Sequence, residues 1–161
     1  PSFFDPKRDA MSVLNAIVGG GSMNSRLNLA LRERLGLVYQ VESQFVPFSD
    51  TGYFSVYFAS EPHDVGKCLD TIYTELSKLA TKPLADKSFN ALKNQMKGQL
   101  LLAAENPESY ILQLSKQMLW FGKVQDIEEL TASIDSLSAL EIQQLAEQIF
   151  HFDRFSVLKY E

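Results

Sequence analysis

Residues 17–43 read Ile-Val-Gly-Gly-Gly-Ser-Met-Asn-Ser-Arg-Leu-Asn-Leu-Ala-Leu-Arg-Glu-Arg-Leu-Gly-Leu-Val-Tyr-Gln-Val-Glu-Ser, and three local patterns follow one another within them. Glycines 19–21 end the helical spacing of residues 9–18, because three glycines are too costly inside a helix. Apolar steps of three and four residues then predict a second helix, capped by Asn24 or Ser25 and ended by Gly36. From Leu37 to Pro47 the period changes to two, which predicts a half-buried strand.

Beyond this stretch, the pattern predicts a hairpin followed by a mostly helical chain. Residues 53–60 are aromatic and β-branched on both faces, as an interior strand would be. Helical spacing then continues, with start signals at Asn106-Pro107, Asp126 and Ser138. Residues 155–160 predict a closing strand.

This order of elements predicts an α+β fold, with an antiparallel-rich sheet and helices packed on one face. Three strands are few for so many helices, so we expect a further strand upstream of Pro1 or from a partner chain. No linker rich in Pro, Gly or Ser divides residues 1–161, which predicts one domain. We interpret the chain as a fragment of a larger one.

Composition excludes several classes of function. Twenty acidic and fifteen basic residues give a formal charge of −5, and no basic run could neutralise a phosphate backbone, so we expect no nucleic-acid partner. No apolar stretch is long enough to cross a bilayer, and no signal-peptide pattern precedes the first helix, which predicts a soluble chain of unknown compartment. The single cysteine, Cys68, lies on an apolar helix face and is predicted to be a small buried side chain.

The chain lacks the residues of an autonomous peptidase site. Hydrolytic zinc needs about three protein ligands, whereas the two histidines, His63 and His151, stand alone at helix ends and form neither His-Glu-x-x-His nor His-x-x-Glu-His. We interpret both as structural and expect no metal in this chain. Residues 19–22 lack the lysine of a phosphate loop, so a helix break is the better interpretation, and a nucleotide binder is a distant third hypothesis.

The glycine triplet, then Ser-Arg-Leu, then a helix ending Leu-Arg-Glu-x-x-Gly-Leu-x-Tyr, resembles the C-terminal, non-zinc half-domain of the insulinase/pitrilysin zinc metallopeptidases, which include the mitochondrial processing peptidases. The resemblance covers nearly the whole chain. It implies an α+β sandwich that faces a homologous zinc-bearing domain across a chamber for peptide substrates. That domain, with its zinc, would lie on the same chain or on a partner chain, and this domain would be inactive alone.

The resemblance also implies two site residues. In the family, an arginine and a tyrosine seven positions apart reach toward the substrate carbonyl, and Arg32 and Tyr39 match them by position. Arg34 does not. Without the resemblance, Arg32 is a cation favoured by the end of a helix, and Tyr39 is a core tyrosine on the same strand face as Val41 and Phe45.

Two hypotheses of function therefore stay open. The first is enzymatic by complementation, with Arg32 and Tyr39 acting on a peptide in another domain's zinc site. The second is a catalytically silent scaffold or peptide-binding module that pairs with a related domain or with a second copy of itself. Asn24 and Asn28 stand where the family more often has serine and a bulky aromatic residue, so the chamber-facing surface is expected to differ here.

Overall fold

The computed structural model describes residues 1–160, which form an α+β fold of helices and one hairpin, as predicted. The elements are α1 (Arg8–Val18), a π-helix (Asn28–Arg34), β1 (Val38–Pro47), β2 (Gly52–Ser60), α2 (Val65–Thr81), α3 (Asp86–Ala104), α4 (Pro107–Phe121), α5 (Ile127–Ser136) and α6 (Ala139–Ile149), with 3-10 turns at Pro62–Asp64 and Phe152–Arg154. Within residues 1–160, no helix has the length and apolar content needed to cross a membrane.

The chain divides into two compact units, Pro1–Leu84 with Ala139–Glu161, and Ala85–Ser138. In the first unit, α1 packs on β1 and α6, and α2 packs on α6 and the π-helix. The interior of this unit contains apolar side chains from each of these elements: Met11, Leu14, Val18, Leu31, Val41, Ile72, Leu76, Leu79, Ile142 and Leu145. Whether residues 1–161 form one domain stays a prediction.

The second unit is a three-helix assembly in which α3 packs against α4 and α5. Its few buried side chains include Phe89 and Ile134. Lys93 donates to the backbone oxygens of Asp135 and Leu137 at 3.1 and 3.2 Å, and so satisfies carbonyls at the C-terminal end of α5.

The capping signals read from the sequence are confirmed at two helix starts. The side chain of Asn106 accepts from the N–H of Ser109 at 3.1 Å, and that of Asp126 accepts from the N–H of Glu129 at 2.8 Å. Each acceptor satisfies one of the donors that a helix start leaves unpaired. These two contacts fix where α4 and α5 begin.

The predicted burial of Cys68 is also confirmed. Its side chain is buried on α2 and forms no disulfide. This burial raises the pKa of the thiol, because a thiolate is poorly solvated there. Cys68 therefore serves as a small apolar side chain in the interior.

The end of α1 lies directly against the middle of β1. The backbone N–H of Ser43 donates to the carbonyl oxygen of Gly19 at 3.0 Å, and the Ser43 hydroxyl donates to the side-chain oxygen of Asn15 at 2.8 Å. A Cβ atom on Gly19 would lie 2.7 Å from the Ser43 nitrogen, closer than non-bonded atoms approach. The first glycine of the triplet is therefore needed for helix–strand contact as well as for ending α1.

The hairpin is antiparallel and has one irregularity at its open end. Val38 pairs with Ser60 and Gln40 pairs with Ala59, so that Tyr39 is an extra residue in β1. Such a β-bulge interrupts the alternation of side chains between the two faces. Both Val38 and Val41 are buried although they lie three positions apart.

Two strand predictions are wrong. β2 pairs with β1 alone, so within the described residues it is an edge strand and not an interior one. Residues 155–160 form no strand. Residues 154–158 instead line, with residues of β2 and α2, a cavity of about 380 Å³, and no backbone hydrogen bond between residues 154–158 and β2 is described.

Gly19→Ala tests the contact between α1 and β1. We expect it to lower the free energy of unfolding by about 1–3 kcal/mol, because the added methyl group must displace β1 backbone. Chemical denaturation measures this. Gly66→Ala is the control, since no atom lies near that position of α2, and it should raise stability by about 0.5–1 kcal/mol. Equal effects of the two substitutions would contradict the proposed steric constraint.

Candidate functional site

Arg32 lies in the last turn of the π-helix, which replaces the α-helix predicted here. Apolar steps of three and four residues do not distinguish i→i+4 from i→i+5 hydrogen bonding over only seven residues. The predicted stop at Gly36 is confirmed, since its φ of 61° is left-handed and its N–H donates to the Arg32 carbonyl at 3.2 Å. The Arg32 side chain is exposed.

Tyr39 occupies the β-bulge seven residues later. Its side chain is 71% exposed, while Val38 and Val41 beside it are buried. The interpretation of Tyr39 as a core tyrosine that shares a face with Val41 and Phe45 is therefore wrong. The extra residue in β1 shifts the alternation by one position and turns the phenol to solvent.

The structure places both predicted site residues on neighbouring elements. The π-helix packs against β1, and Arg32 and Tyr39 lie near the end of one and the beginning of the other. Both side chains are exposed, as residues that act on a separate molecule must be. That the guanidinium and the phenol converge on one concave surface stays a prediction.

Glu61, which follows β2, is the hydrogen-bond partner of Tyr39. The phenol hydroxyl donates to Glu61 Oε1 at 2.6 Å. This hydrogen bond, the negative charge of the carboxylate and a smaller desolvation effect raise the pKa of Tyr39 above its usual value. The contact with Glu61 therefore disfavours ionisation of the Tyr39 phenol further. Sequence reasoning missed Glu61, because no local spacing relates positions 39 and 61.

A buried carboxylate anchors the π-helix to α2. Glu75 is 6% exposed and lies among three cations: Arg26 at 3.5 Å, Arg34 at 4.0 Å and Lys78 at 2.7 Å. Three partners compensate the cost of burying one charge. Sequence reasoning missed Glu75 too, although its position beside Leu76 on the apolar face of α2 was a usable signal.

Arg32 and Arg34 therefore have different surroundings. Arg34 is oriented by Glu75 and by the carbonyl oxygen of Leu29, to which its Nε donates at 3.3 Å. Among the contacts described for residues 1–160, Arg32 has no side-chain hydrogen bond or ion pair. Arg32 is thus the arginine of this helix without a described side-chain partner, and its assignment as a site residue stays a prediction.

Asn28 connects three segments inside the first unit. Its amide nitrogen donates to the oxygens of Ser22, Ser25 and Val41 at 3.3, 3.0 and 3.4 Å. The Ser25 hydroxyl accepts from this amide, so the predicted backbone cap at Asn24 or Ser25 is replaced by a bond between side chains. Asn28 therefore acts as an internal tether between the glycine loop, the π-helix and β1.

The described residues do not fit a zinc site. No three of their His, Cys, Asp or Glu side chains are grouped closely enough to hold a metal ion. His63 is exposed and contacts only the Asp64 carboxylate, at 3.4 Å, and His151 is exposed at the start of the last 3-10 turn. A site with about three protein ligands cannot be assembled from these residues.

The described residues thus form an α+β unit in which a glycine loop lies against a strand and an arginine and a tyrosine are exposed, and residues 1–160 contain no metal-binding group. The sequence profile described as the peptidase M16 inactive domain matches residues 1–96. The chain belongs to the peptidase M16 inactive-domain family, a zinc protease family of the insulinase/pitrilysin type.

Two relatives agree with this membership, and a solved structure has the same fold. The chain is 32% identical over 145 residues to the uncharacterized zinc protease SCO5738 of Streptomyces coelicolor, covering 90% of this chain and 31% of that protein. It is 31% identical over 141 residues to the uncharacterized zinc protease YmxG of Bacillus subtilis, covering 88% and 34%. The crystal structure of a peptidase M16 inactive domain from Pseudomonas fluorescens has the same fold, with a TM-score of 0.83 at 20% identity, covering 95% of this chain and 36% of that one.

The chain thus spans about a third of the length of these relatives. These zinc proteases contain further chain beyond the matched region.

The isolated chain should not retain one equivalent of zinc after dialysis, because two separate histidines and scattered carboxylates form no tetrahedral site. Metal analysis by plasma mass spectrometry measures this. A known zinc protein, stripped of its metal and reloaded in parallel, is the positive control for zinc retention. One zinc per chain that survives dialysis and is lost in His63→Ala would contradict the assignment.

Proposed function

We propose that this chain is the non-zinc half of a zinc metallopeptidase, which helps to form the substrate chamber and supplies Arg32 and Tyr39 to the scissile carbonyl of a bound peptide. The zinc lies on a homologous domain, either in the same chain or in a partner chain. Family membership supports this pairing of a domain without a metal site and a domain with one.

The observation that carries the proposal is the β-bulge at Tyr39. Bulges are frequent next to active sites, where they redirect one side chain at the cost of a local break in the ladder. Here the bulge exposes Tyr39 while Val38 and Val41 stay in the core. Because the exposed Tyr39 side chain adds nothing to the core, contact with another molecule explains the added residue better than folding does.

The chemistry suits peptide hydrolysis. Attack on a peptide bond places negative charge on the carbonyl oxygen, and donors placed in advance stabilise that charge. The guanidinium of Arg32 is always protonated and offers several N–H donors. A tyrosine hydroxyl is protonated at neutral pH, so that of Tyr39 too can act as a donor.

We expect Arg32→Ala or Tyr39→Phe to lower the turnover of the full-length, zinc-loaded protein by about 10² to 10³, as loss of one oxyanion donor does. Steady-state cleavage of a quenched fluorescent peptide measures this. Both substitutions should leave thermal unfolding nearly unchanged, because both side chains are exposed.

Arg34→Ala is the matched control, since Arg34 lies on the same helix but contacts Glu75. It should change thermal stability slightly and turnover little. Equal loss of turnover in Arg34→Ala and Arg32→Ala would contradict the assignment of Arg32. Unchanged turnover in both Arg32→Ala and Tyr39→Phe would favour the alternative.

The alternative function is a catalytically silent scaffold or peptide-binding module. The edge position of β2 favours it, because an exposed edge can pair with an extended peptide through backbone hydrogen bonds. Under this alternative the domain pairs with its homologue or with a second copy, and residues 32 and 39 have no role in turnover.

Both hypotheses require a surface for another domain, so we expect the isolated chain to self-associate. The second unit exposes a group of large apolar side chains on α3 and α4: Leu101, Leu102, Ile111, Leu112, Met118 and Leu119. Exposed groups of this kind mark interaction surfaces.

Sedimentation velocity should show concentration-dependent association that Leu119→Lys weakens. Leu140→Lys on α6 is the control, and a monomer at every concentration would contradict the expectation.

A further inference from the structure

The contact between Tyr39 and Glu61 has a direct consequence for the proposed site. Glu61 follows β2 immediately, and β2 ends at Ser60, the residue that pairs with Val38 beside the bulge. The bulge and the end of β2 thus bring Tyr39 and Glu61 together across the hairpin. Their oxygen atoms are 2.6 Å apart, which is typical of a hydroxyl that donates to a carboxylate.

A tyrosine hydroxyl has one proton to donate. In the structure this proton is directed to Glu61 Oε1. A carboxylate can only accept, so the direction of the hydrogen bond is fixed while Glu61 is ionised. The phenol oxygen that remains can accept a hydrogen bond but cannot stabilise a carbonyl oxygen, which is itself an acceptor.

We propose that Glu61 is a positioning residue that holds the Tyr39 hydroxyl in a resting orientation, and that the carbonyl of a bound peptide must displace Glu61 to receive the hydrogen bond. This inference rests on the proposed function of Tyr39. It adds a regulatory contact to that site, in which substrate and Glu61 compete for one proton.

The surroundings of the pair allow such an exchange. Tyr39 and Glu61 are both exposed, so water can solvate either group when the bond breaks. The exposed side chain of Tyr39 can rotate about its own bonds while the backbone of β1 stays in place. An exposed charged contact is weak, and the cost of displacing it should be correspondingly small.

The first arm of the test examines the contact without reference to activity. In the 161-residue chain labelled with ¹³C-tyrosine, the signal of Tyr39 is assigned from Tyr39→Phe and titrated from neutral to alkaline pH by NMR. We expect Glu61→Gln to lower the pKa of Tyr39 toward its ordinary value, because the amide is neutral. Glu42→Gln, an exposed carboxylate on β1, is the control and should leave this pKa unchanged. No change in Glu61→Gln would overturn the inference.

The second arm measures kcat/KM for peptide cleavage in the full-length, zinc-loaded protein. We expect Glu61→Ala to raise kcat/KM about two- to fivefold and Glu61→Gln to raise it less, since an exposed contact of this kind is weak and the amide oxygen still accepts. In a Tyr39→Phe background, Glu61→Ala should have no effect, because the phenylalanine has no hydroxyl for Glu61 to hold. Glu42→Ala is the charge-matched control and should leave kcat/KM unchanged.

The two arms separate the possible failures. One outcome is a lowered Tyr39 pKa in Glu61→Gln, together with unchanged or reduced kcat/KM in Glu61→Ala and impaired turnover in Tyr39→Phe. This outcome would overturn the competition between Glu61 and the substrate carbonyl and leave the role of Tyr39 intact. An equal effect of Glu61→Ala with and without the Tyr39 hydroxyl would also overturn it. If Tyr39→Phe itself has no effect on turnover, the proposed function fails, and the competition with substrate fails with it.

Discussion

The close contact between Gly19 and Ser43 is the constraint on which the first unit depends. It brings the end of α1 against the middle of β1, and the chain between them must then turn back within twenty-three intervening residues. That return path contains the glycine loop and the π-helix, and Asn28 ties both to β1. The position of Arg32 relative to β1 therefore follows from a contact that only a residue without a Cβ atom allows.

Two departures from regular geometry give the candidate site its form. The π-helix has a wider turn than an α-helix, and Glu75 on α2 contacts it through Arg34 and contacts the residues before it through Arg26. The bulge in β1 turns Tyr39 away from the core. Irregular elements of both kinds cost stability and are common at functional sites. In this chain they occur within a dozen residues of each other, on both sides of Gly36.

The sequence alone predicted those features that depend on local chemistry. Caps at Asn106 and Asp126 and the left-handed residue Gly36 act over three or four positions, and each was found where it was predicted. Strand pairing depends on a neighbour, and for this reason the predictions of an interior β2 and a closing strand at 155–160 were wrong. Periodicity assigned Tyr39 to the buried face because a bulge has no signature in the alternation of apolar residues. Glu61 and Glu75 act across long sequence separations, which a local pattern cannot show.

The bulge also allows β1 to pack in the core and to present side chains to solvent at neighbouring positions. Val38 and Val41 hold β1 in the core, and the two residues between them project to solvent. Substitutions at these two positions therefore change the outer surface without changing the volume or the register of the interior. In an evolving protein, such a segment can acquire or lose a chemical role while the fold around it stays the same, so a working domain and a silent one can share every buried residue.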